Sequence, residues 1–229
     1  MKISNFKLGI GIPLTFPTVP SGFFYSFALM DKPDFTLIHE DNGPIDTLRN
    51  NIVLRALNAG CSHVVMMDTD MEYHPETIPR LLSHNLPIVG ALCYRRYPPF
   101  DPLLLKGDPV GGYVSQDEWE EGELKEVDAT GTGCLLFKME VFRKMPPPWF
   151  HFRDNPNQDI GGVIGEDIGF CWDLKKAGHR IFVDTSVPSN HLTTLAINDS
   201  TYRLYKAMKT RQKEQAISKA LSSGDQKGD

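Results

Sequence analysis

Two aspartates two residues apart, Asp68 and Asp70, follow the apolar run from Val64 to Met67. The run has the length and composition of a buried strand. In an open α/β sheet, ligands gather beyond the carboxyl ends of the strands. Two carboxylates placed there repel one another unless a cation lies between them. A hard divalent ion, Mn²⁺ or Mg²⁺, suits oxygen donors and commonly holds substrate phosphates as well. The chemistry this spacing points to is therefore a metal–diphosphate site. Asp-x-Asp alone also occurs in ordinary surface turns, so the rest of the chain must decide.

Other side chains join it as candidates. Glu166-Asp167 stands ahead of a helical pattern, where an acid is either a first-turn residue favoured by the helix dipole or a general base. His191, after the last strand-like run, is a surface histidine or an imidazole ligand. Arg49 carries a guanidinium suited to phosphate oxygens, and reads nearly as well as an exposed helix arginine. Asp41 sits in a turn-like stretch where it could touch a base or simply form the turn. Trp149, Phe150 and Phe152 suit a stacking platform, with core packing the slightly favoured alternative. Tyr94-Arg95-Arg96-Tyr97 offers two cations to a phosphate or an anionic acceptor.

The elements that must position these groups alternate. Strand-like runs cover 8–14, 35–39, 64–67, 88–93, 134–137 and 181–183. Helical patterns cover 23–30, 46–59, 74–85, 139–144 and 168–177. Such alternation argues an α/β domain whose central sheet is mostly parallel and flanked by helices. Residues 98–128, broken by prolines and glycines, are less regular, and the acidic run 117–121 within them reads as a solvated loop or hairpin. From about residue 201 the composition turns polar and basic, so the expected organisation is a domain over 1–200 and a basic helical tail over 201–229, frayed at its end.

The whole chain of 229 residues, 41% hydrophobic and 23% charged, is ordinary for a globular protein. A net charge of −5 argues against a general polyanion binder. Cys61, Cys93, Cys134 and Cys171 show no C-x-x-C pair, which disfavours structural zinc and a disulfide framework and favours buried thiols. No leader and no long apolar span is evident, so a cytoplasmic protein is expected, in a host cytoplasm if viral.

The order of motifs is more specific than any one of them. Arg49-Asn50, Asp68-Thr69-Asp70, Gly131-Thr132-Gly133, Glu166-Asp167 with Phe170-Cys171, Phe182-Val183-Asp184 and His191 follow in sequence. In this order the chain resembles the GT-A glycosyltransferases, close to the family 2-like group that includes many small viral and phage enzymes, over about residues 6–195. The resemblance implies a single Rossmann-like GT-A domain. It implies a metal-dependent transferase that moves a sugar from a nucleotide-diphosphate sugar, such as a UDP-sugar, to an acceptor hydroxyl with inversion. It places Asp70 on the metal, Asp68 on metal or ribose, and His191 as a third ligand. Pro13 and Thr15 then border the nucleotide with Asp41, and Arg49 contacts diphosphate or base. Asp167 becomes the base that takes the acceptor proton, with Glu166 beside it to orient the acceptor or tune its neighbour. The acceptor is expected to be a glycan or, in a phage setting, a modified DNA base.

Two rivals share these residues. A nucleotidyltransferase uses the same metal–phosphate chemistry, but Ile10-Gly11-Ile12-Pro13-Leu14-Thr15 lacks the glycine-rich basic signature such enzymes show near the N-terminus. A non-catalytic nucleotide-sugar-binding module would not need Asp68, Asp70, Asp167 and His191 all intact.

Overall fold

A computed structural model describes residues 6–120 and 122–224. The first half alternates as β1 (Leu8–Leu14), α1 (Ser21–Leu29), β2 (Phe35–Asp41), α2 (Ile45–Asn58), β3 (His63–Met67), β4 (Met71–Glu72), α3 (Thr77–Ser83) and β5 (Ile88–Cys93). The second half runs β6 (Leu105–Asp108), β7 (Gly112–Ser115), β8 (Leu124–Val127), β9 (Cys134–Lys138), α4 (Met139–Lys144), β10 (Arg153–Asp154), β11 (Val163–Ile164), α5 (Glu166–Lys176) and β12 (Ile181–His191). These elements lie in one compact unit, Met1–Leu192. A second unit, Thr193–Asp229, holds the helix α6 (Asp199–Gly224). The extreme tail, 225–229, lies outside the described residues. Among the described residues, no helix is long and apolar enough to cross a membrane.

The central sheet has eight strands in the order β2-β1-β3-β9-β5-β12-β4, with β8 also paired to β12. Strands β2, β1, β3, β5 and β12 share one direction, and β9, β8 and β4 oppose it. The sheet is thus mostly parallel in strand direction, with the antiparallel β9 inserted between β3 and β5. The carboxyl ends of all five co-directional strands, at Leu14, Asp41, Met67, Cys93 and His191, fall along one edge. That edge is where an α/β sheet places ligands.

Burial explains why the runs form strands here. Val64 to Met67 are fully buried, as are nearly all of β5, because both sheet faces are covered. Each such side chain contributes about 1.5–3 kcal/mol on burial. Helix α2 buries Leu48, Ile52, Val53 and Ala56, the spacing of an apolar helical stripe. It packs so closely on β1 that a Cβ at Gly11 would overlap Ile52. Gly60, with φ of 71°, ends the helix in the left-handed conformation that favours glycine. All four cysteines are buried and free.

Two stretches differ from the sequence expectation. Residues 98–128, less regular by sequence and given no strands there, contain three short ones, β6 to β8. The last strand does not stop at Val183 but runs to His191, with a register shift between Asp184 and Pro188. Asp184 continues the strand because its buried carboxylate is satisfied. His84 lies 2.7 Å away, the Ser186 N–H donates over 2.8 Å, and Arg80 is 3.5 Å away.

Candidate active site

The Asp-x-Asp turn is held from three sides. The Asp68 N–H donates to the Gly133 carbonyl at 3.0 Å, which ties the turn to the start of β9. The Tyr73 hydroxyl is shared between the carbonyls of Asp68 and Gly133, at 2.6 and 2.8 Å. Burial pushes the Tyr73 pKa well up, so the group stays a neutral donor. Immediately after Asp70, β4 pairs antiparallel with Asn190 and His191, and the Leu192 N–H donates to the Asp70 carbonyl at 2.7 Å. This short pairing brings Asp70 and His191 together across 121 positions of sequence.

Arg49 is placed differently from the expectation of a ligand contact. It lies on the buried face of α2 and is 4% exposed. One terminal nitrogen binds both Asp68 oxygens, at 2.9 and 2.8 Å, and the other pairs with Glu166. Burial works against its charge, but Asp68, Glu166 and Asp167 outweigh it and raise its pKa. The guanidinium therefore ties the Asp-x-Asp turn to the start of α5, and presents no terminal nitrogen free of a carboxylate. Asn50 beside it braces the next loop. Its side-chain oxygen accepts from the N–H groups of Trp149 and Phe150 at 2.9 and 3.1 Å.

Glu166 and Asp167 open α5 after Gly165, with both in the first turn. Glu166 is buried against Arg49, whereas Asp167 is part-buried and lines a cavity of about 750 Å³. Burial raises the pKa of Glu166 against the pull of Arg49, and the adjacent Asp167 adds to the rise. Burial raises Asp167 as well, opposed by Arg49 and by the Ile168 N–H, which donates to its carboxylate at 2.7 Å. Asp167 thus combines a raised pKa with a place on a cavity wall. The Gly131-Thr132-Gly133 segment passes beside both carboxylate centres. A Cβ at Gly131 would press on Leu103 at 2.8 Å and come within 3.7 Å of Asp167, and one at Gly133 would lie 3.5 Å from Asp68.

The three expected metal ligands do not gather as a set. Among the described residues no group of three His, Cys, Asp or Glu side chains could hold a metal ion. Both oxygens of Asp68 are engaged by Arg49. Asp70 and His191 do converge. His191 Nδ1 lies 2.9 Å from the Tyr94 carbonyl and donates there, which leaves Nε2 as an acceptor. Nε2 lies 3.3 Å from Asp70 Oδ2, and both acceptors face the guanidinium of Arg96. Asp70 and His191 thus turn one carboxylate and one imidazole acceptor toward a single cation, the Arg96 guanidinium.

Pro13 and Thr15 lie at the end of β1, Pro13 buried and Thr15 exposed. Asp41 closes β2, directly across from Leu14, and accepts a hydrogen bond from Asn42 at 2.7 Å. These residues share the sheet edge with Asp68 but do not line the cavity that holds Asp167 and His191. Trp149 and Phe150 are buried in a cluster with Phe137, Phe142 and Phe170, so they belong to the core. Phe152 is 48% exposed. Sequence reasoning missed Tyr73. Its signal was weak, a single tyrosine three residues beyond the second aspartate. The signal for burial of Arg49 was present, since it falls three, four and seven residues before Ile52, Val53 and Ala56.

No family model and no curated protein matches the sequence. Solved structures do. A197 from STIV aligns with a TM-score of 0.54 at 16% identity, over 82% of this chain and 87% of its own. GalNAc-T7, solved with UDP, GalNAc and Mn²⁺, aligns with a TM-score of 0.56 at 10% identity, over 83% of this chain and 44% of its own. TarS 1-349 of S. aureus, solved with UDP-GlcNAc, gives 0.49 at 13% identity, over 84% and 60%. This chain thus spans less than half of the GalNAc-T7 chain. At these identities the likeness is one of fold, and the fold is GT-A.

Proposed function

We propose that this GT-A chain is a divalent-metal-dependent glycosyltransferase that takes a sugar from a nucleotide-diphosphate sugar, a UDP-sugar foremost, and passes it to an acceptor hydroxyl with inversion. The observation that carries the reading is the convergence at one sheet edge of the Asp70–His191 acceptor pair and the cavity-facing Asp167. Asp70 and His191 would hold the cation, which supplies counter-charge to the leaving diphosphate. Arg49 keeps Asp68 and Glu166 fixed, so the turn beneath the donor does not rearrange as charge develops. Pro13, Thr15 and Asp41 border the nucleotide on the β1–β2 side.

Asp167 accepts the proton of the acceptor hydroxyl as its oxygen bonds to the anomeric carbon. The bond from that carbon to the diphosphate breaks on the opposite side, and its electron pair leaves with the nucleoside diphosphate. Glu166, engaged by Arg49, serves as a positioning residue for Asp167. Residues 1–200 are assigned this activity, and the basic segment 201–229 is an appendage to it.

The test is release of UDP from UDP-sugars with Mn²⁺, together with calorimetric titration of UDP. Wild type is expected to bind UDP only with the metal, and Asp70→Ala to lose both binding and turnover. Near-wild-type turnover of Asp70→Ala in the presence of chelator would remove the metal reading. The anomeric configuration of the product, read by NMR, decides inversion.

A further inference from the structure

Each aspartate of the Asp-x-Asp turn has its own arginine, and the two arginines are held in opposite ways. Arg49 serves Asp68 from the buried face of α2. It is 4% exposed, and its other terminal nitrogen is committed to Glu166. Arg96 serves Asp70 from the loop that follows β5. Its side chain is 36% exposed, its carboxylate partner is itself partly exposed, and it stands on the wall of the cavity that holds Asp167.

The loop is tied at its base and exposed beyond Arg96. The Leu103 N–H donates to the Cys93 carbonyl at 2.8 Å, the Arg95 N–H donates to the Asp101 carbonyl at 2.9 Å, and Tyr94 is bridged to Pro102. Residues 97–100 are all exposed. The same loop engages both ring nitrogens of His191. The Tyr94 carbonyl accepts from Nδ1 at 2.9 Å, and Arg96 Nε donates to Nε2 at 3.2 Å. A terminal nitrogen of the same guanidinium pairs with Asp70 Oδ2.

Asp70 Oδ2 and His191 Nε2 lie 3.3 Å apart. With Nδ1 donating to Tyr94, both atoms are acceptors, and they repel unless a donor or a cation faces them together. Arg96 meets that need. Carboxylate and imidazole are also ligand types for a divalent ion. A neutral imidazole has one lone pair in its ring plane, at the unprotonated nitrogen, so Nε2 serves the guanidinium or an ion but not both.

We propose that Arg96 is a built-in counter-cation that competes with the divalent ion for Asp70 and His191, so that the ion gains the pair only by turning Arg96 out of it. Arg49, buried and shared with Glu166, stays in place. This role for Arg96 rests on the metal reading of the pair and adds the group that the ion must displace.

Mn²⁺ titrated into the full chain without nucleotide tests it, with the free ion followed by electron paramagnetic resonance. Arg96→Gln is expected to bind Mn²⁺ about tenfold more tightly than wild type, the low end for a charge-assisted contact because Arg96 is partly exposed. Arg95→Gln removes an equal charge from the same cavity wall and should change the affinity far less. Adding His191→Ala to Arg96→Gln should cancel the gain, which ties the ion to the pair. An affinity in Arg96→Gln no higher than in wild type, an equal gain in Arg95→Gln, or a gain that survives His191→Ala would overturn the competition. The metal reading still stands in those cases if wild type binds Mn²⁺ with UDP. Failure of both wild type and Arg96→Gln to bind Mn²⁺, with or without UDP, overturns the metal reading and the role of Arg96 with it.

Discussion

The ion pair that joins the Asp-x-Asp turn to α5 can be broken from one side, and the size of the loss follows from its burial. Arg49 is 4% exposed, and the side chains of Glu166 and Asp68 are 9% and 24% exposed. Arg49→Met keeps most of the apolar volume but leaves both carboxylates unpartnered. Removing one member of a buried pair costs about 3–5 kcal/mol, and the partial exposure of Asp68 argues for the low end, about 3 kcal/mol. For a chain of this size that is a drop of about 6–12 °C in Tm.

The pH dependence has a definite sign. In wild type, burial holds the folded Glu166 pKa above its ordinary value of 4.5, against the pull of Arg49. The folded state therefore binds this proton more tightly than the unfolded one, and stability falls as pH rises from that value through the folded pKa. Without Arg49 the folded pKa moves higher still, so the penalty at neutral pH grows. The stability gap between Arg49→Met and wild type should widen from pH 5 to pH 7. Urea denaturation at both pH values measures it, and adding Glu166→Gln to the variant should restore much of the loss at pH 7. A gap under about 1 kcal/mol at pH 7, or one equal at both pH values, would refute the argument that Arg49 neutralises a buried carboxylate.

Further outcomes follow from the same geometry. Asp167→Asn should cut kcat by about 10²-fold or more while UDP affinity stays within a few-fold. In wild type the acid limb of the kcat/KM profile should lie above the ordinary aspartate value of 3.8, with activity rising as Asp167 loses its proton. A limb at or below that value would place the base elsewhere. His191→Ala should weaken Mn²⁺ binding, followed by the electron paramagnetic resonance signal of the free ion, with the circular dichroism spectrum retained. An unchanged titration would return His191 to an ordinary role. Tyr73→Phe removes a hydroxyl shared by two carbonyls, and thermal melts should show a loss of about 1–3 kcal/mol. A loss of only a few tenths would show that the hydroxyl does not brace the turn.

Much of the frame was readable because its strands are continuous apolar runs buried on both faces. The bounds of β1, β5 and α4 coincide with the sequence reading, and β3 and β9 differ from it by a single residue at one end. What escaped had physical causes. Strands β6 to β8 are four residues each, partly exposed, and broken by glycines such as Gly107 and Gly112, so no apolar period marks them. The end of β12 was hidden by Asp184, whose partners Arg80 and His84 come from a distant helix and its cap. Arg49 was read by its charge, although its position on the α2 stripe already placed it inward. The pairing of β4 with β12 depends on two-residue contacts that no local pattern reveals.

The antiparallel β9 has a consequence for how such a chain diversifies. Because β9 runs against β3 and β5, it brings its beginning to the ligand edge, where its neighbours bring their ends. The chain therefore leaves the end of β5 and re-enters β9 at that same edge, through residues 94–133, which include β8 alongside β12. A second excursion, 145–165, leaves from α4 and returns at α5. Nearly the whole lining of the cavity comes from these two excursions, while Pro13, Asp41 and Asp68 sit on β1, β2 and the turn after β3. On the proposed reading, the residues bordering the donor and those lining the cavity occupy largely separable stretches of the sequence. On that reading, variation in the two excursions would alter the cavity while leaving β1, β2, β3 and the Asp-x-Asp turn in place.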